Sequence, residues 1–158
     1  METHADKAAR IFEEGYNCAQ SVFCALCDRT GMERSAALRL SAALGGGMGR
    51  MREVCGAVSS ILIAAGILWA TDSPDASDKE DMYRLTQRMA AMFKEKHGTI
   101  ICRELLNMTD DSPVPSERTA EYYATRPCVR FIRDACNIFD TIDSERRGDG
   151  IGTEKTEL

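Results

Sequence analysis

The sequence predicts an all-α protein, a compact helical bundle with a buried central helix of small side chains. Three observations carry this expectation. Apolar residues recur at three- and four-residue spacing in nearly every segment, as one face of a helix requires. Capping residues and glycines fall where those patterns begin and end. No segment shows the strict alternation of a half-buried strand. At 158 residues the chain is long enough to build one core without a disulfide framework.

Taken in order, Thr3 to Glu14 sets Ala8, Ile11 and Phe12 on one stripe and stops at Gly15. Asn17 then caps a helix from Cys18 to about Arg29, with Gln20 completing a capping box and Tyr16 as the staple residue. Thr30-Gly31 ends it. Ala36, Ala37, Leu40, Ala43 and Leu44 predict a helix over Glu33–Leu44, and Gly45-Gly46-Gly47-Met48-Gly49 predicts a loop. The central helix runs from about Glu53 to Ala70. Its Gly56, Ser60 and Ala64 recur every fourth residue, a face that lets another backbone come close. An acidic loop, Asp72–Asp81, leads through a cap at Ser77 to a helix over Lys79–Lys96. Met82, Leu85, Met89, Met92 and Phe93 lie there at core spacing, and His97-Gly98 ends it. Thr99 caps a short helix to Leu106, and Ser116 caps Glu117–Ala124. Pro127 takes the first position of the last helix, which runs to about Arg146 with Val129, Ile132, Cys136 and Phe139 on its apolar face. The expectation is one domain over 1–146 and a flexible tail over 147–158, rich in Gly, Asp, Thr, Glu and Lys.

Composition narrows the function classes. A net charge of −5 and a 6% aromatic content argue against a nucleic-acid partner, which needs cationic surface and stacking rings. Val54–Thr71 is uncharged and close to the lower length limit of a membrane span. Its flanks are Glu53 and Asp72, with no one-sided basic cluster and no aromatic belt, so no membrane span is expected. The first residues lack the basic and apolar regions of a secretory signal, which predicts a cytoplasmic, reducing location. In such a location seven cysteines are read as metal ligands, redox centres or packing residues before they are read as staples.

The caps put four of the seven in the first turn of a helix: Cys18 after Asn17, Cys55 after the glycine loop, Cys102 after Thr99 and Cys128 after Pro127. First-turn N–H groups are unpaired, and the helix dipole adds positive charge there. Both favour the thiolate, the species that attacks disulfides and binds metals. Arg50 and Arg52 precede Cys55, Arg126 and Arg130 flank Cys128, and Arg103 adjoins Cys102. The plainer reading of any single cysteine is a core filler, and it is preferred for Cys24, Cys27 and Cys136. Cys24-Ala25-Leu26-Cys27 has the C-x-x-C form. It sits in the body of a predicted helix with no His after it, which excludes the usual c-type haem signature and weakens a thioredoxin-like reading.

Cys18, the run Gly45-Gly46-Gly47-Met48-Gly49-Arg50, Cys55-Gly56-Ala57 and the isolated Cys102 and Cys128 together resemble the C_GCAxxG_C_C family, small bacterial and archaeal proteins described as redox-active. The resemblance spans about residues 5 to 140. It implies an all-helical domain with four shared cysteines, here Cys18, Cys55, Cys102 and Cys128. The family motif continues Cys-Gly-Ala-x-x-Gly, and this chain has Ser60 in place of that glycine.

The leading functional expectation is thiol–disulfide redox activity carried by Cys55, Cys18, Cys102 and Cys128, with a redox partner protein or a small thiol as the partner. Cys55 is expected to attack, because the glycine loop before it gives access. The alternative is a metal-binding protein in which the same four cysteines hold zinc or an iron–sulfur cluster. Their wide separation along the chain does not resemble the close pairs of such sites, although a bundle can bring distant helices together. The cofactor is thus open among none, zinc and an iron–sulfur cluster. A third reading, an anion cradle over Gly45–Arg50, lacks the Gly-Lys-Ser/Thr ending of a phosphate loop and follows a helix, so a tight turn is preferred. The small-residue face and the methionines would suit a homodimer. His97 is read as a helix-end residue.

Overall fold

In the computed structural model, which describes residues 1–148, helix α1 (His4–Glu13) begins at Thr3 with a capping box closed by Asp6. Helix α2 (Cys18–Ala25) begins at Asn17 with the box that Gln20 completes. It ends earlier than predicted. Leu26 leaves the helical path, and the chain resumes as the single turn α3 (Cys27–Thr30) before Gly31 turns it left-handed. Helix α4 (Arg34–Ser41) is capped by the Glu33 carboxylate, which accepts the Ser35 and Ala36 N–H groups.

Helix α5 (Gly56–Trp69) is the small-residue helix, and its Gly56, Ser60 and Ala64 are all buried. That face meets α2: a Cβ on Gly56 would lie 3.0 Å from Ala19 Cβ, and the Ser60 hydroxyl donates to the Ala19 carbonyl at 2.8 Å. Serine thus replaces the motif glycine without loss of the close approach, and its polar group is satisfied. Helix α6 (Ala76–His97) starts behind Asp75, ahead of the Ser77 cap that the sequence predicts, and buries Leu85, Met89 and Phe93. Gly98 ends it in the left-handed conformation. No helix among the described residues is long and apolar enough to cross a membrane.

Two other caps differ from expectation. Thr99 accepts the Ile101 N–H, and α7 (Cys102–Leu106) begins two residues later than a Thr99 cap implies, with Cys102 as its first residue. Thr119, not Ser116, caps α8 (Ala120–Thr125), because the Ser116 hydroxyl instead accepts from Arg50 and Arg126. Helix α9 (Cys128–Arg147) follows Pro127, which is the cap and not the first helical residue. The expected tail from Arg147 falls, beyond Gly148, outside the described residues.

Helix α2 sits between α1, α4 and α5, which is why six of its eight residues are buried. Helix α9 packs along α1 and touches α5 and α6. Phe23, Phe93, Phe139, Ile61, Met89 and Ile132 fill the space between them. Cys24 and Cys136 belong to this core. Among the described residues the architecture is all-α, apart from one isolated antiparallel bridge, Val54 to Ile101, between the segments that precede α5 and α7.

Candidate functional site

All four first-turn cysteines line one cavity of about 270 Å³. Cys18, Cys102 and Cys128 are the first residues of α2, α7 and α9, and Cys55 is the cap residue of α5. All seven cysteines are free thiols. Local structure explains the convergence. The Val54–Ile101 bridge is closed by Cys55 N–H donating to the Ile100 carbonyl at 2.8 Å and Cys102 N–H donating to the Glu53 carbonyl at 2.6 Å. Cys55 and Cys102 therefore face the same side of that short ladder, because alternate residues of paired strands share a face.

The glycine run supplies the other link. Gly46, Gly47, Met48, Gly49 and Arg50 all have positive φ, so the chain makes a left-handed turn. Gly47 needs this freedom twice over: a Cβ there would lie 2.7 Å from Cys102 Cβ and 2.7 Å from the Glu53 nitrogen. The backbone N–H groups of Gly46, Ala19 and Gly56 are directed at the Cys18 sulfur. The turn thus touches Cys18 with one glycine and Cys102 with the next. The N–H groups of Arg50, Arg52 and Glu53 donate to the Gly45, Gly46 and Gly47 carbonyls and close the turn. The segment is the tight turn that the sequence favours.

The lining is cationic. Arg50, Arg52, Arg118 and Arg126 face the cavity, and among the described residues no Asp or Glu lines it. Arg52 is 3% exposed; its Nε donates to the Asp110 carbonyl and its Nη1 donates to Cys102 Sγ at 3.7 Å. Its Nη2 is buried without a hydrogen-bond partner. Arg50 holds the loop after α7 through the Ser112 carbonyl and Ser116, with a 3.4 Å contact to the exposed Asp110 carboxylate. Arg118 lies over the Phe12, Tyr122 and Tyr123 rings and donates to the Phe12 and Tyr16 carbonyls. Neither Arg118 nor Ser116 carries a local sequence signal for the site; each arrives from a loop distant in sequence. Arg103 pairs instead with Glu53, and Arg130 is exposed and outside the cavity.

Burial raises three of the cavity thiols. It pushes Cys18 up against the three N–H groups that act the other way, pushes Cys55 well above the usual thiol range, and pushes Cys128 up to about 12. The thiols also oppose one another's ionisation. Negative charge on Cys18 raises both Cys55 and Cys128, and Cys102 raises Cys18. Like charges in one cavity disfavour each other, so a thiolate formed at one cysteine opposes a second. Among the described residues no group of three or more His, Cys, Asp or Glu side chains is placed to hold a metal ion.

The remaining cysteines lie elsewhere. Cys24 and Cys27 sit side by side across the break at Leu26, and burial followed by the neighbouring Cys24 raises Cys27 to about 11. His97 ends α6 with its Nε2 2.8 Å from the Asp134 carboxylate, away from the cavity.

The all-helical fold thus brings four cysteines, each at a helix start, to one arginine-lined cavity. The chain matches the family described as "Putative redox-active protein (C_GCAxxG_C_C)" over residues 16–142 and belongs to that family. No curated protein and no solved structure matches it.

Proposed function

We propose that the protein exchanges thiols for disulfides through this cavity, with a redox partner protein or a small thiol compound as the other party. The observation that carries the reading is the convergence of Cys18, Cys55, Cys102 and Cys128 on one arginine-lined space. Attack falls to Cys102 in this reading and not to Cys55. Arg52 lies against the Cys102 sulfur and can stabilise charge developing on it, whereas burial opposes charge on Cys55. Cys18 resolves, since its charge is felt at both Cys55 and Cys128 and it feels that of Cys102.

The step balances as follows. The Cys102 sulfur attacks one sulfur of R–S–S–R, forms a mixed disulfide and releases RS⁻. The Cys18 sulfur then attacks Cys102 and releases the second RS⁻. The two thiol protons leave with the two RS⁻ groups as RSH, and two electrons pass from the cysteines to the substrate. Mild oxidation with a small disulfide should remove two of the four cavity thiols and dithiothreitol should restore them, read by alkylation and peptide mapping. No reversible change among the four refutes the reading. Metal analysis of protein purified without oxygen separates it from cysteine-bound zinc or an iron–sulfur cluster.

A further inference from the structure

We infer that the cavity seats a small oxyanion head group on Arg52 beside Cys102, so that its preferred disulfide substrates are negatively charged. The substrate class rests on the exchange reading above; the anion seat does not.

The guanidinium of Arg52 is almost wholly enclosed, one of its nitrogens is on the Cys102 sulfur, and the other has no partner. A buried N–H without an acceptor is costly, and a buried charge without a counter-charge more so. The protein does not supply that counter-charge. Among the described residues, the only carboxylate paired with any of the four lining arginines is Asp110, which is exposed and reaches Arg50. Arg118 donates to the Phe12 and Tyr16 carbonyls, and Arg126 donates from Nη2 to the Ser116 hydroxyl. Arg52 lines the cationic cavity beside the Cys102 sulfur, and its Nη2 is a buried donor that lacks a partner. A planar guanidinium edge matches a carboxylate or another oxyanion. A disulfide with such a head group near its S–S bond would fill the open donor while presenting a sulfur to Cys102. The cavity volume of about 270 Å³ limits this to small molecules or to the tip of a larger one.

The test uses the reduced full-length chain and three disulfides of similar size: 3,3′-dithiodipropionate (anionic), bis(2-hydroxyethyl) disulfide (neutral) and cystamine (cationic). Each rate of cavity-thiol loss is divided by the rate of the same disulfide with free 1-thioglycerol, a neutral thiol that none of the three contains. The anionic disulfide should be favoured over the neutral one by about tenfold, and the cationic one disfavoured, as one close charge pair produces. Sodium sulfate should remove the preference, whereas sodium chloride at equal ionic strength should leave most of it. Arg52→Gln should equalise the three normalised rates. Should that variant fail to fold, the sulfate–chloride comparison on the unaltered protein decides. Equal normalised rates with no sulfate-specific effect overturn the inference. If no disulfide of any charge reacts, yet sulfate alone protects Cys102 from iodoacetamide, the exchange reading fails and the anion seat stands.

Discussion

Gly56 and Gly66 lie in the same helix, and replacing each by alanine should move stability in opposite directions. A Cβ on Gly56 would meet Cys18 Sγ at 2.8 Å, the Leu44 carbonyl oxygen at 2.8 Å and Ala19 Cβ at 3.0 Å. Two of these neighbours, a backbone oxygen and a short side chain on the buried α2, have little room to retreat. Overpacking of this kind costs about 1–3 kcal/mol. Alanine's advantage over glycine in a helix returns about 0.5–1 kcal/mol, and less in the first turn, where Gly56 sits. The net is a loss of about 1–2 kcal/mol, or a Tm lower by about 2–8 °C for a chain of this size. At Gly66 a Cβ would meet nothing within 4 Å. Only the propensity term remains there, and Tm should rise by about 1–4 °C. Thermal unfolding of both variants, followed by far-ultraviolet circular dichroism, reads the two signs. If both shift the same way, or if Gly56→Ala is neutral, the close packing of α5 on the Cys18 sulfur is not what requires glycine.

Two ion pairs make pH-dependent predictions. Asp143, 1% exposed, accepts from Arg29 Nε at 2.6 Å and Nη2 at 2.8 Å, and that hydrogen bonding holds its carboxyl below the usual range. The pair therefore stabilises fully above the ordinary carboxylate range, and its contribution is lost as pH falls through the folded-state value. Arg29→Met should cost about 3 kcal/mol in urea unfolding at neutral pH, with the gap narrowing in acid; a pH-independent gap contradicts the assignment. His4 bridges Asp140 and Asp28, and the hydrogen bond to Asp140, then that to Asp28, raises its pKa against the opposing effect of burial. The stabilisation is complete below the unfolded value of about 6.5 and disappears as pH rises through the folded-state value. His4→Gln should therefore be less stable than the parent at about pH 6 and close to it at about pH 9. A gap that widens with pH reverses the sign and defeats the argument.

Much of the helix layout was legible residue by residue. Asn17 with Gln20 produced the expected cap, because capping is a contact between neighbours in sequence. One error occurs where a distant group competes for the same atoms. Ser116 is a good cap by composition, but Arg50 and Arg126 reach its hydroxyl first, and the helix starts at Thr119. Leu26 ends α2 although nothing in Cys24-Ala25-Leu26-Cys27 breaks a helix. That break places Cys27 at the start of a turn instead of in a helix body.

Local chemistry therefore settled the all-α class, the small-residue face of α5 and the helix-start positions of Cys18, Cys55, Cys102 and Cys128, since each depends on side chains within one or two turns. The shared cavity, the Val54–Ile101 bridge and the buried guanidinium of Arg52 depend on segments tens of residues apart meeting in space. Such meetings are set by how the apolar faces of α1, α2, α5 and α9 pack together, and no single stretch of chain encodes them. The same holds for the thiols' acidity: a helix start favours the thiolate, but the burial that packing imposes outweighs it at Cys18, Cys55 and Cys128.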